Sequence, residues 1–365
     1  MVFRHRQVID TLPSYKQGKP APQVEGQRSF KISSNENPHN PLPSVQKAIA
    51  DQALGHINRY PDMRGWAVVE KLAQQLGVSS ENIQLGCGST EVITQLVNLV
   101  AGKGDEVIYP WRSFEAYPII VTTAGATSVQ VPLTAEGKHD IDAMIAAIND
   151  RTRLVIVNNP NNPTSTSVSD VDVRRLLEAV PDDVLVLIDE AYVQFNTDAE
   201  TCIGLDLFHE YSNVIVAQTF SKAYGLAGLR IGYAVGPQDV IDGMRKVALP
   251  FGVSDVAQVA AVASLDAYAE LSERVDALIM ERERVVSKLR EQGWQIPEPY
   301  ANFFWLQLGE RSDEIAHYFE LSGLSVRVFS GEGIRITIAE REANDLVIDV
   351  CARTFEIAHP QAVTV

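Results

Sequence analysis

Residues 184–188 read VLVLI, an unbroken apolar run that stops at Asp189 and Glu190. A strand with one wet face alternates apolar and polar residues. A continuous run suits a strand covered on both faces. The pattern recurs in RLVIVNNP (153–160) and NVIVAQTF (213–220), and in shorter form in NIQLGCG, DEVIYP, TSVQVPL and RIGYAVG. Helical patterns such as STEVITQLVNLVAG, DIDAMIAAIND and VDVRRLLEAV lie between some of these runs. Strands alternating with helices predict an α/β fold with a mostly parallel sheet. Ligands of such sheets bind beyond the C-terminal ends of the strands.

The chain has 365 residues, room for two domains. Residues 1–45 are rich in Pro, Ser, Asn and Gln and lack periodicity, which suits an arm joining the small domain. Residues 46–264 form the expected large α/β domain. A long helical stretch from Ser254 leads into a smaller α+β domain, expected over 265–365. Its strands are NFFWLQLG, LSVRVF and GIRITIA.

The formal net charge of −16 argues against nucleic acid or a membrane surface as partner. The three cysteines, Cys87, Cys202 and Cys351, form no CxxC pair, so buried free thiols are expected and no metal site. The segment MVFRHRQVID has no apolar leader, and no run approaches the roughly 20 apolar residues of a membrane span. A cytoplasmic protein is expected.

Four constellations fall at strand ends. In GCGSTE (86–91) glycines precede a helix start, with Ser89 or Thr90 as candidate N-cap, a place suited to a phosphate. NNPNNPTS (158–165) makes a rigid, side-chain-bonded turn in which an asparagine can donate to a ligand. Asp189 at the end of a buried strand needs a cation or several donors, because burying it unpaired costs several kcal/mol. Lys222 sits among small residues in TFSKAYGLAGLRIGY (219–233), with Arg230 following. A walled-in lysine loses its proton more readily and becomes a nucleophile toward a carbonyl.

One ligand would satisfy all four. It carries a phosphate for Gly88, Ser89, Thr90, Ser221 and Arg230, and an aldehyde for Lys222. It also carries a basic ring nitrogen for Asp189 and a phenolic oxygen for Asn162 and Tyr192. Pyridoxal 5′-phosphate has these groups, and a lysine imine with an acidic partner on the ring nitrogen marks its sites.

With SNENP, RYPD, NNPNNPT, DEAY, SKAYGLAGLRIGY and IRITIA in this order, the chain resembles the fold type I, class II aminotransferases. It is most similar to the branch holding histidinol-phosphate and bacterial aromatic (phenylalanine) aminotransferases, over essentially its whole length. The resemblance implies a fold type I architecture and amino transfer through a pyridoxamine form, with 2-oxoglutarate as acceptor. It implies catalytic roles for Lys222, Asp189 and Tyr192, a ring-stacking Phe114, and Asn162, Thr219 and Ser221 about the cofactor. Tyr60 would reach the phosphate in a neighbouring subunit, making a homodimer with shared active sites. Arg335 would take the substrate carboxylate, beneath an arm bearing Asn35 and Tyr15.

The seven residues VFSGEGI between Arg327 and Arg335 make a short loop. Phe329 within it, and Trp111 near Phe114, suit an apolar ring. An aromatic amino acid is therefore the expected substrate. Histidinol phosphate is the alternative, because Arg327 could hold a phosphate.

Overall fold

The parity of the buried runs explains the central sheet of this computed structural model, which describes residues 4–10, 12–53 and 55–359. The first residues of the segment lacking an apolar leader (1–3), one arm position (11), one large-domain position (54) and the expected end of the small domain (360–365) lie outside the described residues.

β1 (Phe30–Lys31) lies in the N-terminal arm. The large sheet contains β2 (Ile83–Gly86), β3 (Glu106–Trp111), β4 (Thr127–Pro132), β5 (Thr152–Asn158), β6 (Leu185–Asp189), β7 (Val214–Thr219) and β8 (Gly232–Val235). Their spatial order is β2-β8-β7-β6-β5-β3-β4. β4, β3, β5, β6 and β7 pair in parallel, while β8 runs antiparallel to both of its neighbours. Leu154, Ile156, Leu187, Ile215 and Ala217 face one apolar core. Val155, Val157, Val186, Ile188, Val214 and Val216 face the other. Successive strand residues point to opposite faces, so a sheet with two cores needs apolar residues at every position. Each fully buried side chain of this size contributes about 1.5–3 kcal/mol of transfer free energy.

The C-terminal part builds β9 (Phe303–Gln307), β10 (Leu324–Ser325), β11 (Arg327–Phe329) and β12 (Gly333–Thr337). β12 lies between β11 and β9 in an antiparallel sheet, while β10 pairs in parallel with β1 of the arm. LSVRVF is therefore two strands in two sheets, not one. The arm is held further by Ile32 N–H to the Ser325 carbonyl at 2.9 Å and by Asn35 N–H to Thr337 Oγ1 at 3.0 Å.

Two local expectations need correction. The long helical stretch breaks at Ala267, which separates Asp255–Asp266 from Tyr268–Glu291. The helix Ser89–Val100 is entered through Gly88 at φ 79°, so neither Ser89 nor Thr90 is the N-cap. A positive φ at this turn favours glycine, which has no Cβ to clash.

Candidate active site

Because β5, β6 and β7 are parallel, their C-terminal ends bring Asn158, Asp189 and Thr219 to one edge of the sheet. A cavity of about 250 Å³ opens there, between that edge, the arm and β11–β12. It is lined by Lys222, Asp189, Tyr192, Asn162, Arg335 and Asn35, and its walls include Ser89, Thr90, Phe114, Thr219, Ser221, Arg230 and Tyr15. Gly88 abuts Arg230 behind this wall: a Cβ there would lie 2.5 Å from Nη2 of the guanidinium.

Lys222 donates to the Ser34 carbonyl at 3.1 Å, and its ammonium is 5.7 Å from the Tyr192 ring centre. The walls exclude water around the amine. With Arg335 adding repulsion, this pushes its pKa down to about 7. Asp189 is buried, and its Oδ2 accepts the Tyr117 hydroxyl at 2.6 Å. Its Oδ1 has no partner among the described residues. Burial raises this carboxyl to about 6, and the Tyr117 bond opposes the rise. The next residue, Glu190, is bound by Gly204 N–H and Gln218 Nε2, both at 2.7 Å, and does not line the cavity.

Asn162 and Arg335 fix each other. Arg335 Nη1 donates to Asn162 Oδ1 at 2.6 Å, and Nη2 donates to the Ser33 carbonyl at 2.6 Å. Because arginine can only donate, this bond sets the asparagine's orientation and leaves Nδ2 as the donor. Arg335 is buried among neutral acceptors, its Nε has no partner, and no carboxylate pairs with it among the described residues. A buried cation without a counter-charge is costly, and a ligand carboxylate would offset that cost. Asn35, at φ 53°, donates from Nδ2 to the Tyr192 hydroxyl at 3.0 Å and accepts from Thr337 Oγ1 at 3.0 Å. Burial raises the Tyr192 phenol to about 12, so it keeps its proton.

At the other end of the cavity, the Ser89 and Thr90 N–H groups occupy the first turn of their helix, where no intrahelical acceptors exist. Arg230 donates to Ser221 Oγ at 3.3 Å and to the Cys87 carbonyl at 3.2 Å, and Thr219 Oγ1 lies 3.0 Å from Ser221 Oγ. Gly232 lets β8 approach closely, since a Cβ there would lie 2.5 Å from Ser89 N. Helix dipole, hydroxyls and guanidinium together make an anion cradle.

Phe114 packs edge-on against Tyr117 at 5.4 Å and against the half-exposed Tyr15 at 6.4 Å. Tyr60 is not among the lining residues; it is 83% exposed and stacks on Phe251 at 4.7 Å. Trp111 and Phe329 do not line the cavity either, contrary to expectation. Both rings flank the Arg112 guanidinium, at 4.4 and 5.5 Å, and Arg112 pairs with Glu332. Cation–π contact with Arg112 already uses them. Cys87 is only half-buried, whereas Cys202 and Cys351 are buried as expected.

Sequence reasoning missed Tyr117 and Glu115. Glu115 Oε2 accepts from Arg327 Nη2 at 2.5 Å and Nε at 3.1 Å, and both residues line the cavity. The only signal was their place beside Phe114 in WRSFEAY.

A family model described as aminotransferase class I and II matches residues 28–349. An aromatic amino acid aminotransferase of Streptomyces avermitilis is 53% identical over 348 residues, covering 95% of this chain and 96% of that one. One from Thermobifida fusca is 47% identical over 350 residues, covering 96% of each. The crystal structure of histidinol-phosphate aminotransferase from Sinorhizobium meliloti in complex with pyridoxal 5′-phosphate superposes with a TM-score of 0.87 at 27% identity. That match covers 98% of this chain and 99% of that one.

Proposed function

The chain belongs to the class I and II aminotransferases, with the fold type I architecture, and we propose that it moves an amino group between aromatic amino acids and 2-oxoglutarate with pyridoxal 5′-phosphate. The observation that carries the proposal is the meeting, in one cavity, of a lysine with a depressed pKa, an open carboxylate oxygen and an unpaired arginine.

The residues present fit the cofactor. The open Oδ1 of Asp189 suits a ring N–H, and the Tyr192 hydroxyl and Asn162 Nδ2 suit a phenolic oxygen. Ser89, Thr90, Ser221 and Arg230 suit a phosphate. When bound, the cofactor supplies an aldehyde and an electron-accepting ring. Asp189 holds a proton on the ring nitrogen. Arg335 grips the substrate carboxylate and thereby orients the Cα–H bond. Lys222, neutral in part near pH 7, would remove the Cα proton as general base and pass it to the carbon that bore the cofactor's aldehyde, and would carry a proton the opposite way, onto Cα, in the second half-reaction. The arm residues Asn35 and Tyr15 exclude water.

The aromatic relatives and the neutralised Arg327 favour an apolar side chain. The presence of Arg327 in the cavity supports the second reading, histidinol phosphate. Enzyme supplied with cofactor should turn phenylalanine and 2-oxoglutarate into phenylpyruvate and glutamate. The kcat/KM for phenylpyruvate should exceed that for imidazole-acetol phosphate, and the reverse order would assign the second reading. Borohydride reduction should fix the cofactor to the peptide carrying Lys222.

We also propose a homodimer in which Tyr60 serves the partner's site. Ile57, Tyr60, Met63 and Leu249 are large apolar side chains at least 65% exposed, which supports a covered face. Sedimentation should give twice the monomer mass.

Two variants test the assigned roles. Arg335→Met should lower kcat/KM for phenylalanine by about 10²–10³-fold. An aromatic amine lacking the carboxylate should not show that loss. Tyr117→Phe removes the bond that opposes the raised pKa of Asp189. The acid limb of the rate profile should therefore move to higher pH, with kcat lower by roughly tenfold. A profile that does not move would make Tyr117 a packing residue only.

A further inference from the structure

β11 and β12 place Arg327 directly opposite Arg335. Like charges across a strand pair repel, and both guanidiniums reach the same cavity. They are compensated differently. Arg335 has only neutral acceptors, from Asn162 and Ser33. Arg327 has two hydrogen bonds to one carboxylate oxygen of Glu115. Of these two facing guanidiniums, only that of Arg335 is thus left without a carboxylate to meet a ligand.

Glu115 occupies the N-cap position of the helix Ala116–Ala124, yet its side chain makes no capping bond there. Arg327 is its partner instead. The pair stands beside Phe114, with Arg327 almost covered and Glu115 about one-quarter exposed. A charge-assisted pair with one solvent-facing member can open by rotation of that member, at the cost of the lost bonds.

Resting on the aromatic reading above, we propose that Glu115 is a specificity-determining residue that neutralises Arg327 and so selects uncharged side chains over those ending in carboxylate or phosphate. A substrate with one carboxylate uses Arg335 and leaves the pair closed. A substrate with a second, distal anion must take Arg327 from Glu115, and it then faces the displaced carboxylate. The acceptor 2-oxoglutarate, which ends in a second carboxylate, meets the same cost in its own half-reaction. Discrimination by a placed like charge is a common route to specificity.

The test isolates the half-reaction of the amino-loaded holoenzyme with phenylpyruvate, 2-oxoglutarate or imidazole-acetol phosphate. Glu115→Gln should raise the rate constant for each anionic acceptor, relative to phenylpyruvate, by about tenfold or more. Arg327→Met should lower the same ratios. In the Arg327→Met background, Glu115→Gln should change them by less than about twofold, because the coupling partner is gone. Glu115→Ala repeats the measurement if the glutamine variant does not fold. Ratios unchanged in both Glu115 variants, or a change that persists without Arg327, would overturn the role of Glu115 alone. Wild-type enzyme that does not process phenylpyruvate would overturn the aromatic reading and this inference with it.

Discussion

Lys222→Met should remove turnover by about 10⁴-fold or more while leaving a folded protein. The substitution keeps the aliphatic stem and deletes the amine. In the function proposed above, both the covalent attachment of the cofactor and the proton transfers at Cα depend on that amine. Among the described residues the other cavity carboxylates are engaged, Glu36 by Lys31 and Glu115 by Arg327. Glu190 is turned away, Asp189 is needed at the ring, and Tyr192 keeps its proton because burial raises its pKa to about 12. Turnover within a hundredfold of wild type would sink the assignment.

The same substitution should raise the melting temperature of the cofactor-free protein. Folding lowers the lysine pKa from 10.5 to about 7, so the native state binds this proton less well than the unfolded chain does. The resulting penalty is absent above pH 10.5, grows as pH falls toward 7, and is constant below that. The stability gained by Lys222→Met should therefore be largest at and below pH 7 and shrink toward pH 10. Thermal melts at several pH values will read it directly. A functional group held against its own stability is common at active sites.

How much of this the sequence carries depends on the distance over which a feature is determined. The strands β5, β6 and β7 were legible because two-sided burial imposes apolar residues at every position. Lys222, Asp189 and Asn162 were legible because polar residues at the ends of such strands demand partners. Contacts between distant segments were not. Tyr117 lies 72 residues from Asp189 and looks like one more apolar residue on a helix. Glu115 lies 212 residues from Arg327, and its role exists only once β11 folds back beside it. Trp111 and Phe329 misled for the same reason: composition named aromatic rings, but only packing shows that Arg112 fills the space between them. Likewise, nothing local in LSVRVF reveals that its first residues pair with the arm and its last with β12.

Asp189→Asn should lower kcat by roughly 10³-fold with little change in fold. The amide keeps the shape of the carboxylate, and its oxygen can still accept from the Tyr117 hydroxyl. Its NH₂ then occupies the position of Oδ1, the oxygen without a partner. A donor there faces the ring N–H with a donor, so the ring nitrogen can no longer hold its proton. The charge that favours electron flow into the ring is lost with it. The effect is large because the site is dry: Asp189 is 3% exposed, and water cannot stand in for the missing carboxylate. The cofactor-free protein should respond in the opposite direction. Burial raises the folded pKa of Asp189 from 3.8 to about 6, so stability associated with its protonated form is lost as pH rises through 6. The amide removes that loss, and the variant should melt higher than wild type at pH 8 but not at pH 4. A kcat within tenfold of wild type, alongside normal cofactor binding, would remove Asp189 from its role at the ring nitrogen.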